Sequence, residues 1–150
     1  FGLNGALTIG TMDGANVEMH ERVGAEHMFI FGLSAQQVEA RKHAGEFNAG
    51  PEIAASHRLN DVLQAIRGGV FSPDDPGRYV GLIDGLVDYD RFLVCADFDS
   101  YWDAQAAVER HWHDSKAWWR SAVLNTARMG WFSSDRTIRE YATEIWKALD

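Results

Sequence analysis

The stretch NGALTIGTMDGANVEM, from Asn4 to Met19, contains the pattern of a strand, a glycine turn and the start of a helix. The run Ala6–Thr11 is apolar and rich in residues that favour β-structure, and Gly14 permits a tight turn after it. Asp13 is placed to cap the following helix, and Gly24 to close it. The stretch therefore predicts a strand that leads into a short helix.

Two further apolar runs predict strands. Met28–Phe31 is a continuous apolar run that fits a strand buried on both faces, so the two strands with the helix between them predict a parallel βαβ unit. Phe92–Ala96 predicts a third strand, and the polar residues Asp97–Ser100 predict a helix cap after it. Three strands are few for a parallel sheet in a chain of this length, so we expect an incomplete sheet.

Helices are predicted for most of the remaining chain. Ser34 and Gln37 have capping-box spacing and predict a helix that ends at Gly45. Loops are expected at Phe47–Pro51 and Phe71–Pro76, because proline disrupts helices. Helical spacing of apolar residues predicts one helix that Gly68 and Gly69 end and another after the second loop: Leu59, Val62, Leu63 and Ile66, then Tyr79, Val80, Ile83, Leu86 and Val87.

The C-terminal part is predicted to be entirely helical. Helices are expected to open at Ser100, at Ser115, and at Ser133 or Ser134, and Gly130 is expected to close the second of them. The last helix carries an apolar stripe: Ile138, Tyr141, Ala142, Ile145 and Leu149.

Composition limits the classes of function. The chain has 150 residues, of which 46% are hydrophobic, so it can bury a core. Its net charge of -8 disfavours nucleic acid and anionic membranes as partners. Cys95 is the only cysteine and is expected to be a buried thiol, and the sequence contains neither a membrane span nor a secretion signal. These features predict a cytoplasmic protein.

The opening turn and one histidine pair are candidate sites. Gly10, Gly14 and the helix start at Asn16 would form a backbone concavity for an anion, but the spacing matches no phosphate-binding motif and a tight structural turn is the favoured interpretation. His111 and His113, with Asp114 beside them, suggest a metal site. Residues two apart on a helix point in different directions, so we predict no metal there.

The other reactive or aromatic side chains also have a structural interpretation that we favour. Cys95 is interpreted as a small hydrophobe rather than a nucleophile, because apolar residues surround it. Trp118, Trp119 and Trp131 are able to stack on sugar rings or bases, but aromatic residues at helical spacing are more often part of a core. Four other side chains are interpreted as solvent-exposed: His20, His27, Asp74 and Asp75.

Five blocks in this order give the sequence a family resemblance. The first block is the opening stretch, and the five blocks together span nearly the whole chain. The other four are FIFG at Phe29–Gly32, GVFSP at Gly69–Pro73, YDRFLVCADFDSY at Tyr89–Tyr101 and FSSDRTIREYATEIW at Phe132–Trp146. The sequence resembles the C-terminal end of the α-glucan phosphorylases, which act on glycogen, starch or maltodextrin. The resemblance implies a GT-B architecture, in which two Rossmann-like domains enclose pyridoxal phosphate, and a phosphorolysis that releases glucose 1-phosphate from terminal α-1,4 bonds.

The resemblance also implies where the functional residues lie. In that family the lysine that carries pyridoxal phosphate stands immediately before the segment that matches Phe1–Asn4, so the cofactor would be attached outside this chain. The lysines present, Lys42, Lys116 and Lys147, lie outside the matching motif, and no catalytic, cofactor-binding or metal residue is transferred to this chain. The start at Phe1 and the incomplete sheet lead us to expect a preceding segment.

The resulting interpretation assigns residues 1–150 to one region. They are expected to be the C-terminal part of the pyridoxal phosphate domain, without an internal boundary, in which parallel strands precede a helical C-terminal region and serve as scaffold. The remainder of the phosphorylase chain, α-1,4-glucan, phosphate and a second subunit of a homodimer are the expected partners. The alternative is a noncatalytic α/β fragment that serves only in packing or assembly.

Overall fold

A computed structural model of the chain describes residues 1–148, which are mostly helical with one small sheet. The strands are β1 (Ile9–Thr11) and β2 (Phe29–Phe31), which pair in parallel. The helices are α1 (Ala15–Val23), α2 (Ala35–Ala44), α3 (Gly50–Ala55), α4 (His57–Arg67), α5 (Val80–Asp88), α6 (Val94–His113), α7 (Ser115–Met129) and α8 (Ser134–Glu140). Short helical turns cover Gly2–Asn4, Ala25–His27 and Gly130–Phe132, and a π-helical turn covers Tyr141–Ile145.

The chain forms two compact units. The first contains Phe1–Gly10, Gly14–Phe29 and the described part of Ala107–Asp150, and the second contains Thr11–Asp13 and Ile30–Ala106. An α/β composition is confirmed, but it rests on two strands of three residues each.

The second unit has a core built around α4. Leu59 and Leu63 on this helix are buried with Ile83 of α5, Cys95 of α6 and Ala49. The predicted α4 is confirmed, and the Ser56 hydroxyl caps it by accepting a hydrogen bond from the Leu59 amide at 3.1 Å. Within the expected loop after Phe47, the sequence prediction missed the short helix α3, which has proline in its first turn.

The first unit is packed around α7. Val23 at the end of α1, and Ala122 and Met129 of α7, are buried. The turn Gly2–Asn4 also lies against α7: a Cβ at Gly2 would come within 2.7 Å of the Met129 Cγ atom. A larger residue at position 2 would therefore require the Met129 side chain to move.

The third predicted strand, Phe92–Ala96, is wrong, because the chain turns there and starts α6 at Val94. The buried carboxylate of Asp90 accepts hydrogen bonds from the amides of Val94 at 2.8 Å and Cys95 at 2.6 Å. Leu93 has a φ of 55°, which is incompatible with a strand. Asp97–Ser100, predicted as a cap, consequently lies inside α6, and the predicted helix start at Ser100 is wrong. A short apolar run does not by itself distinguish a buried strand from a buried helix.

The first strand is shorter than predicted, because it begins at Ile9 and not at Ala6. Most other predicted boundaries are confirmed within one or two residues. Helix α1 ends at Gly24, whose φ is 101°, and α2 begins with the predicted capping box of Ser34 and Gln37. The predicted cap at Asp13 is wrong, because Gly14 holds the cap position and Asp13 accepts a hydrogen bond from the Thr11 hydroxyl at 3.0 Å. Leu149, the last member of the predicted C-terminal stripe, lies outside the described residues.

The 150-residue chain in isolation is predicted to be loosely packed. The sheet has only two strands of three residues each, and large apolar side chains are exposed on both units, including Phe1 and Phe92. Burial of one such side chain contributes about 1.5–3 kcal/mol, a large part of a domain stability of about 5–15 kcal/mol. We expect binding of a hydrophobic dye and a broad calorimetric transition. A sharp, reversible, two-state transition without dye binding would contradict this expectation.

Candidate functional site

In the turn between β1 and α1, a side chain lies over Gly10. A Cβ on Gly10 would lie 2.7 Å from the side-chain amide nitrogen of Asn16, so this amide occupies the space over the glycine. Gly14 has a φ of 51°, in the left-handed region that favours glycine. The geometry agrees with the favoured interpretation of a tight structural turn.

A buried hydrogen-bond network joins three elements of the first unit. The Ser121 hydroxyl lies 2.9 Å from Nδ1 of His27 and 2.9 Å from Nε2 of His111. The Asn125 side chain donates to the carbonyls of His27 at 3.2 Å and Ser121 at 3.0 Å. Because one hydroxyl has one hydrogen, at least one of the two imidazoles must donate to Ser121.

His27 was predicted to be exposed, and this prediction is wrong. Its side chain is buried between the end of the turn Ala25–His27 and α7. The next residue, Met28, begins the apolar run, but no sequence signal indicated that a histidine before that run would be bonded to a serine 94 residues away.

Glu26, His27 and Ser121 have the connectivity of an acid, a base and a nucleophile. The Glu26 carboxylate lies 3.2 Å from Nε2 of His27, whose other ring nitrogen faces Ser121. A backbone hydrogen bond within Glu26 and the neighbouring imidazole lower the pKa of this carboxyl group. A nucleophile must reach its substrate, however, and Ser121 is only 1% exposed. The arrangement therefore holds α7 in place.

His111 and His113 lie on α6, as predicted, and have different surroundings. His111 contacts Ser121 and packs edge-on against Phe29, with ring centroids 5.6 Å apart, while His113 is exposed. Among residues 1–148, no group of three or more His, Cys, Asp or Glu side chains is arranged to hold a metal ion.

The three tryptophans considered for stacking differ in their surroundings. The guanidinium groups of Arg22 and Arg136 lie over the Trp131 ring, at 3.4 and 3.7 Å from its centroid. Trp118 is partly buried, whereas Trp119 is largely exposed on the surface of α7. The prediction that these rings belong to a core is therefore wrong for Trp119 and for Trp131, which is 38% exposed although cation–π contacts lie over its ring.

Cys95 is buried in the core of the second unit, as predicted, although on a helix rather than a strand. Burial first, and then the neighbouring Asp90 carboxylate, raise the pKa of its thiol to about 12. The thiolate is the reactive form of cysteine, so this side chain is chemically inert at neutral pH.

A cavity of about 340 Å³ in the second unit is lined by several charged side chains. Five of its lining residues carry charge: Asp13, Glu39, Lys42, Arg91 and Asp97. Asp97 accepts a hydrogen bond from the Leu33 amide at 2.8 Å, and a Cβ on Gly32 would lie within 2.7 Å of its carboxylate. The carboxylate thus anchors the residues that follow β2, a role that the predicted helix cap did not include.

Burial raises the pKa of Asp97, and the hydrogen bond from Leu33 opposes this rise only in part. A raised pKa in the folded state favours the protonated carboxyl group. Its contribution to stability is therefore present below the ordinary value of about 3.9 and is lost as pH rises through the folded-state pKa. Asp74 and Asp75, which were predicted to be solvated, are exposed and pair with Arg78.

Comparison with known proteins identifies the family. The sequence model of the carbohydrate phosphorylase family matches residues 1–148 of this chain. The chain belongs to the carbohydrate phosphorylase family. The brain form of glycogen phosphorylase from Bos taurus is 47% identical over 148 residues, which are 99% of this chain and 17% of that protein. The glycogen phosphorylase of Synechocystis is 47% identical over 146 residues, 97% of this chain and 17% of that protein.

A third phosphorylase, from Haemophilus influenzae, is 46% identical over 147 residues, which are 98% of this chain and 18% of that protein. The family resemblance of the sequence blocks is thus confirmed. The chain spans less than a fifth of the length of these relatives. Within residues 1–148, every helix is too short or too polar to cross a bilayer.

Cys95 is expected to resist alkylation in the folded protein. At pH 8, the unfolded chain has a substantial thiolate fraction, since the ordinary pKa is about 8.5. In the folded state the pKa of about 12 keeps the thiol protonated, and burial blocks access. Iodoacetamide labelling followed by peptide mass mapping should modify Cys95 only after denaturation. Equal labelling rates with and without denaturant would contradict both the burial and the raised pKa.

Replacement Ser121→Ala is expected to destabilise α7. The substitution leaves one nitrogen of His27 and one of His111 without their shared hydrogen-bond partner. An unsatisfied buried polar group lowers the free energy of stabilisation by about 1–3 kcal/mol. The free energy of local opening of α7, measured by amide hydrogen exchange in the folded protein, should fall by this amount. Ser115→Ala serves as the control, because Ser115 is an exposed serine of the same helix. It should change the free energy of local opening by less than about 0.5 kcal/mol. Equal protection in both variants would show that the network is dispensable.

Proposed function

We propose that the chain is the C-terminal part of the pyridoxal phosphate domain of an α-glucan phosphorylase. The whole enzyme cleaves terminal α-1,4 bonds of glycogen, starch or maltodextrin with phosphate and releases glucose 1-phosphate. The observation that carries the proposal is the match of residues 1–148 to the carbohydrate phosphorylases at about 47% identity to glycogen phosphorylases.

Within this enzyme, the chain serves as scaffold. Two of its buried polar side chains bond to backbone amides or to another side chain: Asp90 bonds to Val94 and Cys95, and Ser121 bonds to His27. Such bonds fix secondary structure but leave these groups unable to meet a substrate. The Rossmann-like GT-B domain that we propose would contain β1 and β2 in a larger parallel sheet, and residues 1–150 would form one continuous region of it.

The residues of this chain do not fit a pyridoxal phosphate site. The turn at Gly10 is filled by the Asn16 amide. The cavity that contains Lys42 and Arg91 also contains the acidic residues Asp13, Glu39 and Asp97, so acidic side chains outnumber basic ones and oppose a phosphate group. We therefore propose that residues outside this chain hold the cofactor.

Lys116 and Lys147, the other lysines, are exposed, and neither is among the residues that line the described cavities. A cytoplasmic homodimer completes the proposal and is supported by the family alone. The alternative function, a noncatalytic α/β fragment used in packing or assembly, is supported by the large exposed apolar side chains of both units.

The mass of the native protein and its activity distinguish these functions. An antibody raised against residues 57–67 would isolate the protein from its source cells for intact mass measurement and a phosphorolysis assay. A mass several times 16.8 kDa, with release of glucose 1-phosphate from glucan and phosphate, supports the enzyme. A mass of 16.8 kDa without this activity supports the noncatalytic fragment.

No lysine of this chain is expected to carry pyridoxal phosphate. The native protein would be reduced with borohydride, digested and mapped for pyridoxyl-lysine peptides. We expect one dominant adduct at a lysine other than Lys42, Lys116 and Lys147, because none of these lies in a suitable cradle. A stoichiometric adduct on any of the three would overturn the scaffold assignment. The 150-residue chain treated in the same way, as a control, should show only weak, scattered labelling.

A further inference from the structure

The corner between α6 and α7 contains a cavity of about 340 Å³ that the scaffold role does not explain. Its lining is aromatic and polar: Trp112, His113, Ser115, Trp118 and Trp119. The volume lies near the lower end of the range of about 300–1,000 Å³ that is typical of small-ligand pockets.

Ring contacts orient two of the three tryptophans, Trp112 and Trp118. The Trp118 ring meets the Trp112 ring edge-on, with centroids 4.9 Å apart and an angle of 89° between the planes. On another side, Trp118 contacts the His111 ring at 5.9 Å, and His111 is itself anchored to Ser121. Trp112 and Trp119 are nevertheless 59% and 68% exposed. The Trp112 ring is restrained by its contact with Trp118, so it loses less side-chain entropy than an unrestrained ring when a ligand stacks on it.

The lining carries no residue with a fixed charge at neutral pH, in a chain where 24% of residues are charged. Asp114, which lies between two lining residues in sequence, is occupied as the cap of α7, where its carboxylate accepts a hydrogen bond from the Ala117 amide at 3.0 Å. An anionic or cationic ligand would find no counter-charge in this lining. The cavity is therefore suited to a neutral ligand that presents both apolar faces and hydroxyl groups.

We propose that this cavity binds a short stretch of the α-1,4-glucan. The inference rests on the proposed function, because the glucan is the proposed substrate of the whole enzyme. The C–H face of a glucosyl ring stacks on the exposed indole rings of Trp112 and Trp119, and the sugar hydroxyls meet the polar groups of His113 and Ser115 at the exposed rim. Trp131 makes no comparable surface, since two guanidinium groups lie over its ring.

Hydroxyl-radical footprinting of the unmodified native protein tests the site without any substitution. Maltoheptaose at millimolar concentration should lower the oxidation of Trp112 and Trp119 at least threefold. Trp146 is a matched control, because it is also 59% exposed and does not line this cavity, and its oxidation should stay constant. Equal oxidation of Trp112 and Trp119 with and without the glucan would overturn the proposal. Protection of both in the free protein would also overturn it, because other parts of the protein would then cover the cavity.

Substitutions provide the second test. Trp119→Ala should weaken the retention of the native protein in a glucan-containing gel by about threefold to tenfold, the loss expected for one aromatic contact. Trp119→Phe keeps an aromatic face and should recover part of this retention, whereas Trp146→Ala should behave as the unmodified protein. Unchanged retention of Trp119→Ala would contradict the site.

The two proposals fail in distinguishable ways. Retention that depends on Trp119 in a protein that releases no glucose 1-phosphate would support the glucan site and reject the phosphorylase function. Release of glucose 1-phosphate by a protein whose retention is independent of Trp119 would support the function and reject the site.

Discussion

The hydrogen bonds that the buried Asp90 carboxylate accepts from the amides of Val94 and Cys95 determine where the longest helix begins. A negative charge at a helix N-terminus is favoured by the helix dipole and satisfies amides that would otherwise be buried without a partner. The Asp90 amide in turn donates to the Phe47 carbonyl at 2.8 Å, so this residue also fixes the segment before α3. The start of α6 then places Cys95 in the core and Asp97 one turn further along the helix.

The Asp97 carboxylate also accepts a hydrogen bond from a backbone amide, but this amide lies outside its own helix. The donor is the Leu33 amide, and the absence of a side chain at Gly32 makes room for the carboxylate. The carboxylates of the buried Asp90 and the partly buried Asp97 thus bind backbone amides, and burial raises the pKa of Asp97. In the network at Ser121, the hydroxyl group is likewise bonded within the protein, to the imidazoles of His27 and His111. These features are those of a supporting region, in agreement with the proposed scaffold role.

The exposed apolar side chains have two different explanations. Phe1 is fully exposed and Phe92 is 80% exposed, and contact with the rest of a phosphorylase chain accounts for these surfaces under the proposed function. The relatives are several times longer than this chain, which supports that explanation. Trp112 and Trp119 differ, because they line a cavity whose rim carries an imidazole and a hydroxyl group. Mixed aromatic and polar lining is typical of ligand sites rather than of chain packing.

Local sequence determined the features that depend on neighbouring residues. The capping box at Ser34, the helix end at Gly24 and the apolar face of α4 were predicted because backbone amides, φ angles and helical spacing act over a few positions. The ordered blocks of the sequence also determined the family. Only the tertiary structure decided that FLVCA begins a helix, that His27 is buried and that Trp119 is exposed beside a cavity. These outcomes depend on contacts in the folded chain: Asp90 for the helix, Ser121 for His27 and the α6–α7 corner for Trp119. Neither propensity nor periodicity predicts which distant groups a side chain will contact.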